Sequence, residues 1–190
     1  APDPSESLLV ERADHIETWT LNLPDSRNPI SDPAIVEALC ARVAAVNADR
    51  DVRAVILTGA GSAFSAGGNV KDMADRSGMF GGSPYELRDG YRGGIQRIPR
   101  ALYHCEVPVV AAVNGPALGS GLAIVASCDI ILASEKASLG LPEVDVGLLG
   151  GCSHAMRLFG HSKLRTMMLT GERVPAAELH RRGIVEACVA

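Results

Sequence analysis

Val107-Pro-Val-Val-Ala-Ala-Val-Asn-Gly-Pro-Ala-Leu-Gly-Ser-Gly-Leu-Ala-Ile-Val-Ala-Ser-Cys-Asp129 is the stretch whose reading decides the fold. Pro108 to Val113 is an apolar, valine-rich run ended by Asn114-Gly115-Pro116, the pattern of a buried strand stopped by a turn. Gly119, Ser120 and Gly121 then open a predicted helix. The first N–H groups of a helix have no intrahelical partner, and glycine lets another molecule approach them. This helix start therefore offers donors and a partial positive charge to an anion or a polarised carbonyl oxygen, or else its glycines serve close helix packing.

The same unit occurs upstream. Arg53 to Thr58 reads as a short buried strand, and a glycine-rich segment, Gly59 to Gly68, follows it. Before it, Leu8 to Val10 and Ile16 to Leu23 predict a hairpin around Glu11-Arg12-Ala13-Asp14. Pro24 to Pro33 is a loop. Ala34 to Asn47 repeats Ile35, Val36, Leu39, Val43 and Val46 at helical spacing, with Asp32 as N-cap and Pro33 at the first position. Met73 to Ser83, carrying Gly78, Gly81 and Gly82, has no strong period and reads as a mobile surface segment and candidate lid. Tyr85 to His104 spaces Leu87, Tyr91, Ile95, Ile98 and Leu102 as one helix, despite Gly90, Gly93, Gly94 and Pro99.

Downstream, Ile130 to Ala133 and Ala137 to Leu141 are predicted strands, the second ended by Pro142 with Glu143 just past it. Helical patterns cover Cys152 to Phe159, Lys163 to Leu169 and Ala176 to Arg182, stopped by Gly160, Gly171 and Gly183, before a last apolar segment, Ile184 to Ala190. Strands alternating with helices imply an α/β fold with a largely parallel sheet, right-handed crossovers, and ligands at the strand carboxyl ends.

The 190 residues, 47% hydrophobic and 21% charged, suffice for one domain with a full core. A net charge of -4 with scattered basic residues speaks against a nucleic-acid or membrane partner. Cys40, Cys105, Cys128, Cys152 and Cys188 form no C-x-x-C pair, which fits reduced thiols in a cytoplasmic compartment and no metal site. No apolar run approaches the ~18 residues of a membrane span, and Ala1 to Ser7 has neither a basic nor an apolar leader region. A soluble, non-secreted protein is expected, unless a leader has been removed.

The common nucleotide and hydrolase patterns are not met. Gly59 to Phe64 lacks the third glycine of G-x-G-x-x-G, and no phosphate loop or G-x-S-x-G occurs. Two glycine loops after buried strands remain, with Glu143 at the end of a third. That set suits enolate chemistry, in which two N–H donors hold a carbonyl oxygen while a carboxylate moves a proton at the adjacent carbons. The plain alternative is that Glu143 is a solvated loop acid.

Ile56 to Met73 resembles the first signature of the crotonase (enoyl-CoA hydratase/isomerase) superfamily, and Val109 to Asp129 resembles the second. Gly140-Leu141-Pro142-Glu143 with Val146-Gly147-Leu148 is similar to the third, so the likeness runs from Leu8 to Ala190. It implies a crotonase-like spiral of ββα units with helices flanking the sheet. It also implies an oxyanion hole from the N–H groups of Gly68 and Ser120, with Glu143 as acid/base. Arg27, Asn28, Ile30, Ala66, Gly67, Asn69 and Val70 would line the adenine and pantetheine path. Asn69 stands where the family usually has Asp, and Lys71 falls near the nucleotide phosphates or is merely solvated. CoA would be part of the substrate, with no metal or redox cofactor.

One departure bears on the reaction. In the family's hydratases two glutamates share the addition of water, and the first of them falls on Ala123. Glu143 alone suffices to move a proton from C2 to C4 of a 3-enoyl thioester, so isomerisation is the favoured expectation. Hydration, hydrolysis or decarboxylation with a non-standard second group are the alternatives, and an inactive acyl-CoA-binding protein is an alternative of another class. Asp145, if its segment is extended, would project beside Glu143. His154 is a candidate base and Cys152 a candidate thiol at a helix start. The two further acids of dienoyl-CoA isomerases would fall on Ala123 and Gly151, which disfavours that subfamily. The family also continues past Gly183 to Val185 with helices that close the acyl pocket and build trimers or dimers of trimers. The expectation is one core domain over residues 1–190 without those helices, and a homo-oligomer covering the apolar surface near Lys163 to Leu169.

Overall fold

The computed structural model describes residues 4–190. The strands are β1 (Leu8–Ala13), β2 (Ile16–Leu21), β3 (Ala54–Gly59), β4 (Val109–Val113), β5 (Ala117–Leu118), β6 (Ile130–Ser134), β7 (Ser138–Gly140), β8 (Arg173–Pro175) and β9 (Ala187–Val189). The helices are α1 (Pro4–Ser7), α2 (Pro33–Ala48), α3 (Val70–Ala74), α4 (Pro84–Gly93), α5 (Arg97–Tyr103), α6 (Ser120–Val125), α7 (Cys152–Ala155), α8 (His161–Thr170) and α9 (Ala176–Arg181).

A six-stranded sheet runs in the order β1-β2-β3-β4-β6-β9. Only the β1–β2 hairpin is antiparallel; every later pair in this sheet is parallel. The hairpin turns at Asp14, whose φ is +54°, so Glu11 to Ala13 belong to β1 rather than to the predicted turn. β5, β7 and β8 form a second, three-stranded sheet beside the carboxyl end of β4. β5 and β8, two and three residues long, are too short to carry a period and were not foreseen. The helix after the proline loop is as expected: Asp32 caps α2 by accepting from Ala34 N at 2.8 Å.

Three predicted elements differ. The single helix over Tyr85 to His104 is two helices, because the chain breaks at Gly94, where φ and ψ are -112° and -110°. Ser83 and Glu86 close a capping box that fixes the start of α4. Within Met73 to Ser83, Met73 ends up in α3, and a 3₁₀ turn over Gly78–Phe80 seats Phe80 in the core, edge-on to Tyr91 at 5.8 Å. The segment is thus pinned by an aromatic anchor that its glycine content concealed. Regular helix after Cys152 stops at Ala155, well short of Phe159.

The buried apolar residues from Leu8 to Val185 form one continuous cluster around Trp19, Phe64, Leu57 and Leu139. Under it lies a charge: Glu17 on β2 is fully buried, accepts from Trp19 Nε1 at 2.8 Å and is paired with Arg42 of α2. The parallel strands β3 and β4 both deliver their carboxyl ends to the edge of the second sheet, which is where the glycine loops meet.

Candidate active site

Two loops are laced together by their backbones. Ser65 N donates to Pro116 O at 3.2 Å, and Leu118 N donates to Ser65 O at 3.0 Å. The Ser65 hydroxyl donates to Asn28 O at 2.7 Å and accepts from Gly67 N at 3.2 Å. Contact this close needs residues without side chains. Gly67 has φ +89°, and a Cβ there would stand 2.6 Å from Leu118 O and 3.3 Å from Ser120 N. A Cβ on Gly121 would stand 2.5 Å from Ser65 O. Gly68 follows the first loop directly, and Ser120 is the first residue of α6. Among the described residues, neither of their N–H groups donates a hydrogen bond.

Gly68 and Ser120 line one cavity of about 570 Å³, and Glu143 lines it with them. Glu143 arrives on a 3₁₀ turn, Pro142–Val146, that leaves β7, and Gly119 N donates to Gly140 O at 2.9 Å to hold that turn beside the start of α6. The carboxylate lies between Gly119 and Gly150; a Cβ on Gly119 would be 3.1 Å from Oε1. Its Oε2 is buried and has no hydrogen-bond partner among the described residues. Burial pushes the Glu143 carboxyl above its ordinary range, against a backbone hydrogen bond that pulls the other way. Its charge reaches Tyr91, whose phenol is pushed up first by burial and then by Glu143. Ala123, nearly buried on α6, contributes a methyl group to the same wall.

Of the expected path residues, Ala66 and Val70 also line this cavity, whereas Arg27, Asn28, Ile30, Gly67, Asn69 and Lys71 lie outside its lining. Asn28 is buried and ties two loops together, accepting from Leu23 N at 2.8 Å and donating to the carbonyls of Ala60 and Ala63 at 2.9 and 3.0 Å. Ile30 is a core side chain whose N–H donates to Gly67 O at 3.0 Å. Ala66 N donates to Arg27 O at 2.9 Å, so the Arg27 to Ile30 segment runs along the glycine loop. Asn69 caps α3 by accepting from Lys71 N at 3.0 Å, and Lys71 itself is exposed.

Asp145 does not extend beside Glu143. The 3₁₀ turn carries its carboxylate against Gly171, at the end of α8, although it still borders the cavity. His154 lines the cavity; burial, then Arg157 and Arg100, hold its imidazole below its ordinary range. Cys152 lines a separate groove between α7 and α8 instead. Tyr91, Gln96 and Arg100 line the cavity without having been singled out. Tyr91 had signalled only helical spacing, and Gln96 and Arg100 carried no signal. Among the described residues, no group of three or more His, Cys, Asp or Glu is arranged to hold a metal ion. No described helix is long and apolar enough to cross a membrane.

Residues 11–190 match the family model for enoyl-CoA hydratase/isomerase. A probable mitochondrial enoyl-CoA hydratase of Dictyostelium discoideum is 36% identical over 95% of this chain, which spans 62% of that protein's length. A (7aS)-7a-methyl-1,5-dioxo-2,3,5,6,7,7a-hexahydro-1H-indene-carboxyl-CoA hydrolase of Mycobacterium tuberculosis is 42% identical over 77% of this chain and 57% of its own length. The crystal structure of an enoyl-CoA hydratase from Mycobacterium smegmatis superposes with a TM-score of 0.88 at 30% identity, covering 97% of this chain and 70% of that one.

Proposed function

From the chain's membership of the enoyl-CoA hydratase/isomerase family, we infer that it binds an acyl-CoA thioester and stabilises its enolate, with Glu143 as the single acid/base. The observation that carries this reading is a buried carboxylate oxygen without a partner among the described residues, in one cavity with Gly68 and Ser120, whose N–H groups donate to no acceptor there. The thioester oxygen accepts from Gly68 and Ser120. Glu143 removes the C2 proton of a 3-enoyl thioester, and the electron pair moves into the carbonyl as the oxygen takes up charge. On collapse the pair forms C2=C3, the old C3=C4 pair takes the proton at C4 from Glu143, and the carboxylate is restored. Fixed N–H donors in such a site are each worth about 3 kcal/mol in the transition state. Ala123 supplies no second acid, which favours this over hydration. CoA enters as part of the substrate, and Arg27, Asn28, Ile30, Gly67 and Asn69 contribute to its path through their main chain, with Lys71 toward its phosphates.

A second reading is hydrolysis of a bulkier acyl-CoA. It is favoured by the small Ala123 beside Glu143 and by the hydrolase relative. We also take residues 1–190 as one crotonase-like core domain, of cytoplasmic protein, that forms a homotrimer or a dimer of trimers. One continuous core, five free thiols and an exposed apolar face support these.

Proton NMR with 3-hexenoyl-CoA in deuterium oxide tests the reaction. Migration of the double bond to the 2-enoyl thioester is expected, with deuterium entering at C4 to the extent that Glu143 exchanges its proton with solvent. Label at C2 without migration turns the reading to the hydrolase. Binding without any exchange indicates an acyl-CoA-binding protein that does no chemistry.

A further inference from the structure

The cavity wall built by α5 is more polar than a plain acyl chain needs. Ile95, Pro99, Val146 and Leu148 give the cavity apolar lining, and Gln96 and Arg100 line it as well. Arg100 Nη2 donates to Gln96 Oε1 at 3.0 Å, one helical turn back. This bond does two things. It ties one Nη of the guanidinium to the start of α5, and it commits the amide oxygen of Gln96, which leaves the Gln96 NH₂ as a donor. Arg100 is exposed while it lines the cavity, and among the described residues no carboxylate pairs with it, so a bound acceptor would take the place of water on most of its five N–H groups.

The wall therefore presents several donors in a planar fork. Such an array is complementary to an oxygen acceptor and gains nothing from a methyl terminus. We propose that Gln96 and Arg100 form an oxygen-recognition subsite, and that the acyl group of the substrate carries a second oxygen function, a ketone or a carboxylate, beyond the thioester. The inference rests on the acyl-CoA reading above and deepens it.

The test is calorimetric binding of hexanoyl-CoA, 5-oxohexanoyl-CoA and adipoyl-CoA to the protein and to Arg100→Met and Arg100→Lys. These probes differ only in the absence of a distal oxygen, a ketone, or a carboxylate. The expected result is that the two oxygenated thioesters bind at least about tenfold more tightly than hexanoyl-CoA. In Arg100→Met the three affinities converge to within about threefold, and in Arg100→Lys a preference survives for adipoyl-CoA alone, because an ammonium keeps the charge but not the fork. A stronger adipoyl than oxohexanoyl preference identifies a carboxylate, and the reverse a ketone. The subsite is overturned if hexanoyl-CoA binds as tightly as the others, or if the preference persists in Arg100→Met. Failure of all three probes to bind overturns the acyl-CoA reading itself.

Discussion

The base role proposed for Glu143 comes with a stability cost. Its carboxyl is raised because burial strips water from the charged form, and Oε2 gains no hydrogen bond in return. As a base it must be ionised, so the rate should fall as pH drops through a value above 4.5, the carboxyl's ordinary position. Glu143→Gln should lower turnover about 10²- to 10⁴-fold, the usual worth of a positioned proton carrier, and should abolish that acidic limb. The linkage sign is equally definite. A carboxyl with a raised folded pKa favours the folded state at low pH and loses that contribution as pH rises through the folded value. Glu143→Gln should accordingly melt higher than the unmodified protein at pH 7, with the difference closing toward pH 4; an equal or lower melting temperature at pH 7 would contradict the burial argument. This residue was legible in the sequence as the acid after a third strand. Arg100 and Gln96 were not, since their meaning comes from the cavity they face.

The site is made by two elements that touch, and their contact is a packing fact. Both glycine loops were readable, each as a buried strand followed by glycines. What could not be read is that Ser65 sits against α6 so closely that Gly121 has 2.5 Å for a Cβ before Ser65 O. Since that neighbour is backbone, Gly121→Ala must push the loops apart. The expected cost is about 1–3 kcal/mol of stability by urea titration. If Gly68 and Ser120 are the oxyanion donors proposed above, turnover should fall about 10²-fold or more, because the loops that carry them are displaced from one another. The break at Gly94 makes a related point. Apolar spacing across Tyr85 to His104 is continuous, so a period alone joins α4 and α5; the backbone at Gly94 separates them and turns the Gln96 to Arg100 face to the cavity.

For the molecule as a whole, the second buried carboxylate works with the opposite sign. Burial alone would raise Glu17, but hydrogen bonds from Arg42 and Trp19 outweigh it and hold the carboxyl below 4.5. Its contribution to stability is present above that pH and is lost as pH falls through the folded value, so acid should destabilise the protein through Glu17 and not through Glu143. Arg42→Met leaves the carboxylate buried and unpaired, and should cost about 3–5 kcal/mol in denaturant titration. Elsewhere, Met156 and Leu169 are 57% and 71% exposed along the groove between α7 and α8, and Leu149, which lines the candidate active-site cavity, is 83% exposed. If this face is an interface between copies, sedimentation velocity should give a trimer or larger, and Leu169→Asp should shift it toward monomer. The sequence by itself determined the alternation of strands and helices, the two glycine loops and the acid, because strand and helix periods and turn residues are local properties of the chain. Tertiary structure alone decided that these loops share one cavity, that Asp145 turns away from Glu143, and that Arg100 faces the same space. Each of those depends on distances between segments far apart in the chain, which close packing sets and no local pattern encodes.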